Sequence, residues 1–288
     1  MLTTLDHLVI AVRDLDAATA TYGALLGRSP SWRGEHPGAG TANSLFRLDR
    51  TYAELLSPTG SGMLGDAVRE HLDHEGEGPF ALAFGTDDAA ACAATLRARG
   101  LAAADPIDGQ GRDGLSGAVR AWRTVPLAST DTRGVRLFAI EHRSPPDALP
   151  VAASAGASTA VSGVDHVVIM TTDAEAAAAL YRDRLGLRLA FDRAFEERRV
   201  RLLFFRVGGV TVELAAPLGS SDAATPDRFW GVSWRVPDVV AARSRLAAAG
   251  FDVSEVRAGN KAGTRVCTVR RETHGVATLL IEAEAKAA

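Results

Sequence analysis

The sequence predicts an α+β protein built from four modules, each consisting of a short strand, a helix and further strands. Two observations carry this prediction. The apolar segment 5–12, which contains Asp6-His7, has a counterpart in 164–170 with the same Asp-His pair. Four helical stretches also recur, each starting beside an acidic residue and ending at or next to a glycine, which are common helix boundaries. Repetition at this scale indicates duplicated modules.

Length and composition limit the function classes. The 288 residues leave room for two domains, since a domain has roughly 100–150 residues. The chain is 47% hydrophobic and 23% charged, with a net charge of −3, and it has no dense block of Lys and Arg. We therefore expect no nucleic-acid partner. No apolar stretch approaches the roughly 18–20 residues that span a bilayer, so we expect no membrane insertion.

Cysteine usage and the N-terminus predict a cytoplasmic protein. The two cysteines, Cys92 and Cys267, form no disulfide framework. The N-terminus enters a strand without the basic and apolar regions of a signal peptide. A Walker loop and a dinucleotide-binding motif are both missing, so no organic cofactor is expected.

The repeat divides the chain into two domains. Residues 1–146 hold modules 4–58 and 79–143, and residues 162–288 hold modules 163–217 and 229–284. Between them, 147–161 is rich in Pro, Ala and Ser, which is typical of an interdomain linker with little to bury.

Hydrophobic patterns and turn residues place the elements of each module. The first module has strands at 7–12, 31–34, 43–48 and 51–56, with a helix ending at 26. The second has a strand at 81–84, a helix at 89–99, and strands at 119–125 and 135–141. The third has a strand at 166–170, a helix at 174–185, and a hairpin of 199–207 with 210–214. The fourth has a strand at 232–236, a helix at 239–249 and a last strand at 278–282.

The spacing of histidine and glutamate repeats between the halves. Glu54 follows His7 by 47 residues, and Glu213 follows His166 by 47 residues. The last strands of the second and fourth modules also end in glutamates, Glu141 and Glu282. Glutamate is depleted in strands and costly to bury unpaired, so these four carboxylates call for partners.

Four βαβββ modules with a histidine on the first strand and a glutamate on the last resemble the vicinal oxygen chelate superfamily. This group includes glyoxalase I, methylmalonyl-CoA epimerase, extradiol dioxygenases and bleomycin- or fosfomycin-resistance proteins. Segments 5–7, 35–43 and 52–56 look like its glyoxalase-like domain subfamily. The resemblance implies that the modules pair into two incomplete β-barrels, and that a divalent metal is held in each by residues of the first and last strands.

Carried over position by position, the resemblance implies two ligand sets for Zn, Ni, Mn, Co or Fe. The sets are His7, Glu54 and Glu141 in one half, and His166, Glu213 and Glu282 in the other. Both halves depart from the full pattern, because Ala81 and Gly231 stand where the family has a further ligand. The departure disfavours extradiol dioxygenase activity, which needs a histidine there. In the alternative reading, the glutamates face solvent or pair with arginines such as Arg47 or Arg201.

Two loops are candidates for substrate binding. In segment 35–43, His36 precedes a proline, two glycines permit close backbone approach, and Thr41 and Asn43 share a strand face. In segment 259–265, Lys261 and Arg265 offer positive charge to an anionic group. The alternative for both segments is a plain surface turn.

The leading hypothesis is a metal-dependent, glyoxalase-like lyase or isomerase that acts on a small oxygenated substrate through an enediolate-type intermediate. By resemblance, Glu141 or Glu282 would carry the proton. The alternative is a metal-free protein that sequesters a small molecule such as an antibiotic. A third possibility is that one domain is active and the other structural. The expected partner is a small molecule, and the protein is expected to be a monomer or a homodimer.

Overall fold

A computed structural model describes residues 1–36, 38–114, 116–154 and 156–283. The N-terminal half forms a closed eight-stranded barrel in the order β1-β4-β3-β2-β6-β7-β8-β5. Its strands are β1 (Thr4–Ala11), β2 (Trp32–His36), β3 (Thr41–Arg47), β4 (Tyr52–Pro58), β5 (Gly78–Gly85), β6 (Ile107–Asp113), β7 (Val119–Pro126) and β8 (Arg136–His142). Its helices are α1 (Leu15–Leu26), α2 (Met63–His74) and α3 (Ala89–Ala98).

The C-terminal half forms an open eight-stranded sheet in the order β10-β11-β12-β9-β13-β16-β15-β14. Its strands are β9 (Gly163–Met170), β10 (Arg188–Phe195), β11 (Val200–Val207), β12 (Val210–Pro217), β13 (Arg228–Arg235), β14 (Arg257–Ala258), β15 (Thr264–Val269) and β16 (Ala277–Ala283). Its helices are α4 (Ala174–Ala178), which continues as a π-helix over Ala179–Arg184, and α5 (Val239–Ala248). Short 3₁₀ turns lie at Pro146–Ala148 and Glu196–Arg198.

The module repeat is visible in strand pairing. The first strand of each half pairs in parallel with the fourth strand of its module, β1 with β4 and β9 with β12. The register is the same in both halves, because Val9 lies opposite Glu54 and Val168 lies opposite Glu213. The equal spacing in the sequence therefore corresponds to equal positions in the two sheets.

The four module helices begin in the same way. In each, an aspartate in an extended conformation precedes the helix and its side chain accepts a hydrogen bond from a backbone N–H of the first turn. Such a cap contributes about 1 kcal/mol of helix stability. The capping residues are Asp14, Asp88, Asp173 and Asp238.

Closure distinguishes the two sheets. The N-terminal barrel, expected to be incomplete, is closed by pairing of Gly34 and Glu35 on β2 with Asp113 and Arg112 on β6. Gly34 permits this contact, because a Cβ at that position would lie 2.2 Å from the Arg112 carbonyl oxygen. In the C-terminal half β14 has two residues, and β10 and β14 remain at opposite edges of the sheet.

The core joins both halves. One cluster of buried side chains takes in the helix-facing sides of both sheets and the module helices between them. Segment 147–161, expected to bury little, contributes Leu149, Ala152, Ala160 and Val161 to the interior. The Arg28 side chain binds the carbonyl oxygens of Ala152 and Val161 at 2.5 Å each. Backbone polar groups of this segment therefore have partners inside the protein.

Most predicted elements are present, although their ends are shifted. No usable sequence pattern marked the strands β6, β10, β14 and β15. Strand β6 is rich in glycine and polar residues, and β10 is largely exposed, so neither shows a clear alternation. Among the described residues, no helix combines the length and apolar character needed to cross a membrane.

Candidate functional site

A β-bulge places an Asp-His pair at the same point in each half. The pairing of β1 with β5 skips Asp6, and the pairing of β9 with β13 skips Asp165. A bulge turns two successive side chains away from strict alternation. As a result, Asp6 Oδ1 lies 2.7 Å from His7 Nδ1, and Asp165 Oδ1 lies 2.9 Å from His166 Nδ1. The carboxylate favours the tautomer with a proton on Nδ1, which leaves the Nε2 lone pair facing the sheet interior.

The two aspartates are held as carboxylates. Burial alone would raise the pKa of Asp6, but hydrogen bonds from His142 and His7 hold it well below its usual range. Burial likewise opposes ionisation of Asp165, but His166 and Arg235 lower its pKa to about 2. Each aspartate therefore presents a fixed negative charge to its histidine.

In the N-terminal half, the structure brings together five of the predicted site residues. His7 Nε2 lies 3.4 Å from Glu54 Oε2, and Asn43 Nδ2 donates to Glu54 Oε1 at 2.8 Å. His36 Nε2 lies 3.2 Å from Asn43 Nδ2, and His36 Nδ1 lies 2.9 Å from Thr41 Oγ1. Burial lowers the pKa of His36, although the charge of Glu54 opposes this shift. Hydrogen bonds thus link Thr41, His36, Asn43 and Glu54 in one chain inside the barrel, and His7 lies against its Glu54 end.

Aromatic side chains fill the space around His7. Tyr52 stacks on its imidazole with ring centroids 4.3 Å apart, and Phe138 meets it edge-on at 5.5 Å. The Arg120 guanidinium covers the Tyr52 ring at 5.7 Å and the Trp32 ring at 5.5 Å. Helix α2 closes another part of the interior by packing on Val9, Leu56 and Ala81. His7 is consequently 2% exposed.

The equivalent pair in the C-terminal half lies on an open sheet. His166 Nε2 lies 2.7 Å from Ser233 Oγ and 3.6 Å from Glu213 Oε2. The side chains of His166 and Glu213 are each 17% exposed. Burial raises the pKa of Glu213, against the opposing effects of His166 and Arg198. Burial therefore shifts the Glu213 carboxyl toward its protonated form.

An apolar wall stands beside this second pair. It packs around Val168, Leu202 and Ala215, and its half-buried members include Met170 and three phenylalanines. Phe191 and Phe204 stack at 4.9 Å, and Phe195 lies beneath the guanidinium groups of Arg193 and Arg198. The C-terminal sheet thus combines apolar surface with acid–base groups, a combination that is typical of small-molecule sites.

Glu141 and Glu282 are not brought to the histidines, which corrects their expected place in the site. Glu141 Oε2 accepts from the backbone N–H of Ala89 at 3.0 Å, and Glu282 Oε2 accepts from that of Val239 at 2.8 Å. Ala89 and Val239 are the first residues of α3 and α5, where a negative charge is stabilised by the helix dipole. The backbone hydrogen bond and Arg143 lower the pKa of Glu141.

Arg265 is also used elsewhere, which corrects its expected role in substrate binding. Its guanidinium lies 2.8 Å from both carboxylate oxygens of Glu282. The residue is on β15 and exposed, not in a loop over the cavity. The pair completes the anchoring of Glu282 at the start of α5.

The structure adds residues to the site that the sequence did not mark as candidates. The aspartate before each histidine was visible in the repeat, but only the bulge gives it a role. Ser233 had no motif, because its position opposite His166 comes from strand pairing. His142 was not among the candidates from the sequence, yet its Nε2 lies 2.9 Å from Asp6 Oδ2. On β8, it is Glu141 that shares the helix-facing side with Leu137 and Ala139.

The donor sets do not fit a metal centre of three or four protein ligands. Around His7 and Glu54, the facing strands β5 and β8 supply Ala81, Ala83 and Phe138. Around His166 and Glu213, β13 and β16 supply Gly231, Ser233 and Leu279. Within the described part of the chain, no three residues among His, Cys, Asp and Glu are grouped so that they could hold a metal ion. Each half therefore offers one histidine–glutamate pair, His7 with Glu54 and His166 with Glu213.

The sequence is similar to two protein families and to a known epimerase. The model of the glyoxalase-like domain matches residues 5–185, and that of the glyoxalase/bleomycin resistance protein/dioxygenase superfamily matches 165–268. Ethylmalonyl-CoA/methylmalonyl-CoA epimerase of Cereibacter sphaeroides is 30% identical over 100 residues, which are 32% of this chain and 75% of that protein.

Solved structures share the fold over the whole chain. A mutant of 4-hydroxymandelate synthase from Streptomyces coelicolor has a TM-score of 0.71 at 17% identity, covering 100% of this chain and 95% of its own. A hypothetical protein from Staphylococcus aureus has a TM-score of 0.66 at 11% identity, covering 98% and 100%. These likenesses confirm the predicted α+β fold of paired modules. Because the glyoxalase-like model matches 5–185, more than half of the chain, the protein belongs to the glyoxalase-like domain family of the vicinal oxygen chelate superfamily.

Proposed function

We propose that this protein is an isomerase or lyase that moves a proton on a small oxygenated substrate, and that the reaction takes place at the C-terminal pair. The observation that carries the proposal is the contact between His166 and Glu213. His166 has Nδ1 fixed by Asp165, and Glu213 has a raised pKa and lies 3.6 Å from Nε2. Perturbed acid–base groups beside an accessible apolar wall are typical of catalytic sites.

The two groups suit proton transfer next to a carbonyl. Neutral His166 would remove the proton from the carbon beside the carbonyl, and its positive charge would be stabilised by Asp165. Protonated Glu213 would give its proton to the carbonyl oxygen, which yields an enol or enediol. Transfer of the proton from His166 to a different carbon or face, with return of the hydroxyl proton to Glu213, completes an isomerisation. General acid–base catalysis of this kind contributes about 10²–10⁴-fold to a rate.

The hypothesis drawn from the sequence includes a divalent metal, but the proton transfers with His166 and Glu213 do not pass through one. His166 and Glu213 would need donors beyond this chain's described residues to complete a coordination shell.

The epimerase among the relatives supports the isomerase class, since its name describes an isomerase of acyl-CoA compounds. An acyl-CoA thioester is accordingly one substrate class to test, alongside small α-hydroxycarbonyl compounds.

The test is solvent exchange followed by NMR. Wild-type protein in D₂O, with and without added Zn, Ni, Mn or Co, is incubated with methylmalonyl-CoA and a panel of α-hydroxycarbonyl compounds. We expect deuterium at the carbon beside the carbonyl, with a loss of about 100-fold or more in Glu213→Gln. Glu54→Gln is the matched control and should keep the rate within about threefold. A rate that is lost in Glu54→Gln and kept in Glu213→Gln would overturn the assignment to this half.

A second candidate function is metal-free sequestration of a small hydrophobic molecule. It is favoured by the half-buried phenylalanines beside His166, which offer a stacking surface. This function predicts saturable binding without exchange or turnover of any panel compound, and an affinity that does not change in Glu213→Gln.

A further inference from the structure

A cavity lies between the two halves, away from both histidine pairs. Its volume is about 430 Å³, which is in the range of small-molecule sites. The N-terminal half lines it with the end of α2 and the starts of β5 and β8, and the C-terminal half lines it with the start of β13. His166, Glu213 and Ser233 are not among the lining residues. The cavity therefore belongs to neither site described above.

Two guanidinium groups line this cavity without an acidic partner. Arg136 lies over the Phe80 ring at 4.7 Å, and Arg228 is exposed. Across the described ranges, neither side chain forms an ion pair or a hydrogen bond. Glu75, exposed at the rim, offsets part of this positive charge.

The other acidic groups in the cavity wall are already paired. Asp227 is bound by Arg133 through two hydrogen bonds of 3.0 Å. Glu77 Oε2 lies 2.7 Å from His274 Nδ1. Arg136 and Arg228 thus remain the available charges for a ligand, and guanidinium groups bind carboxylate and phosphate oxygens in preference to other groups.

Aromatic surface lies in the same cavity. A bulge in the pairing of β13 with β9 falls between Phe229 and Gly231, so that Trp230 projects from the strand and is 43% exposed. An indole ring exposed in this way offers a flat apolar face together with an N–H donor. His71 stands edge-on to Phe80 at 5.2 Å, and its Nε2 is buried without a hydrogen-bond partner in the described structure.

We propose that this interdomain cavity binds a planar aromatic anion, with the ring against Trp230 and the anionic group at Arg136 and Arg228. An aryl carboxylate and a nucleoside phosphate share this chemistry. The proposal does not depend on the reaction assigned to His166 and Glu213.

The test is a binding titration of the full-length protein by calorimetry, supported by tryptophan fluorescence. Benzoate and AMP are the two aromatic anions, benzamide and adenosine are their neutral counterparts, and acetate and inorganic phosphate lack the ring. We expect saturable binding, with one site per chain, of benzoate or AMP, and at least about tenfold weaker binding of its neutral and ringless counterparts. The probe that binds identifies the anionic group as carboxylate or phosphate.

Variants locate the binding. Arg228→Gln, Arg136→Gln and Trp230→Leu should each weaken the affinity about tenfold, whereas Arg206→Gln should leave it unchanged. Arg206 is the matched control, because it is an exposed arginine on β11 that does not line the cavity. His166→Ala should also bind normally. The proposal is overturned if neither aromatic anion binds at millimolar concentration, if the neutral or ringless probes bind equally well, or if the double variant of Arg136 and Arg228 retains full affinity.

Discussion

The two halves hold the same Asp-His-Glu arrangement in opposite surroundings. The distance from the histidine Nε2 to the glutamate is 3.4 Å in the N-terminal half and 3.6 Å in the C-terminal half. Opposite the histidine on the parallel strand, however, the N-terminal half has Tyr52, which stacks on the imidazole, and the C-terminal half has Thr211. The duplicated motif sets the local contacts, and its neighbours decide how far the histidine is exposed.

The partners of the two aspartates differ in the same way. Asp6 is shared between His7 and His142, whereas Asp165 is shared between His166 and Arg235. An arginine keeps its charge at every accessible pH, so one partner of the second carboxylate is permanently charged, whereas both partners of the first are histidines. One copy is thus a buried network, and the other is a partly exposed acid–base pair.

The largest expected effect comes from opening the barrel. Gly34→Ala places a Cβ 2.2 Å from the Arg112 carbonyl oxygen and so separates β2 from β6. We expect a loss of about 3 kcal/mol in the free energy of unfolding, measured by urea denaturation. Gly60→Ala is the control, since its Cβ would meet nothing within 4 Å. Unchanged stability of Gly34→Ala would contradict the closure of the barrel through this contact.

The next effect concerns acid stability and Asp165. Its pKa is lowered to about 2 in the folded protein from 3.8. The stabilisation is therefore present above about pH 4 and is lost as the pH falls through 2. We expect Asp165→Asn to lose about 2 kcal/mol at pH 7 and to approach wild-type stability near pH 2. Urea unfolding at pH 7, 4 and 2.5 would reveal the convergence, and parallel curves for the two proteins would contradict it.

A third prediction compares access to the two imidazoles. The His7 side chain is 3% exposed and that of His166 is 17% exposed. Diethyl pyrocarbonate should therefore modify His166 about tenfold faster than His7, a difference of about 1.4 kcal/mol in activation free energy. Peptide mapping by mass spectrometry resolves the two sites. Equal modification rates of His7 and His166 in the native protein, also at low reagent concentration, would contradict the difference in exposure between the two sites.

The smallest expected effect tests the role of the second-module glutamates. Glu141→Ala and Glu282→Ala each remove a carboxylate from a helix N-terminus, and each should cost about 1 kcal/mol of unfolding free energy. Because neither carboxylate contacts a histidine of the site, proton exchange should stay within about threefold of wild type. A loss of exchange of 100-fold in the correctly folded Glu282→Ala protein would return this residue to the reaction.

The spacing of histidine and glutamate can be read from the sequence, but the face of the strand on which each side chain lies cannot. The interval from His7 to Glu54 repeats in the second half, and in both halves the histidine and the glutamate lie within 4 Å of each other. Their role as site residues stays a prediction. Glu141 was misplaced because a strand-terminal glutamate looks the same whether it faces the barrel interior or a helix end. One residue of register decides the face, and the strand β8 turns His142, not Glu141, toward Asp6.

The sequence by itself determined the module repeat, the helix caps and the family, because these depend on local patterns that recur along the chain. The tertiary structure decided which copy of the motif is accessible. Closure of β2 on β6 and the stacking of Tyr52 on His7 join residues far apart in sequence, as does the contact of Ser233 with His166. No local pattern records such contacts, since they follow from strand order and register.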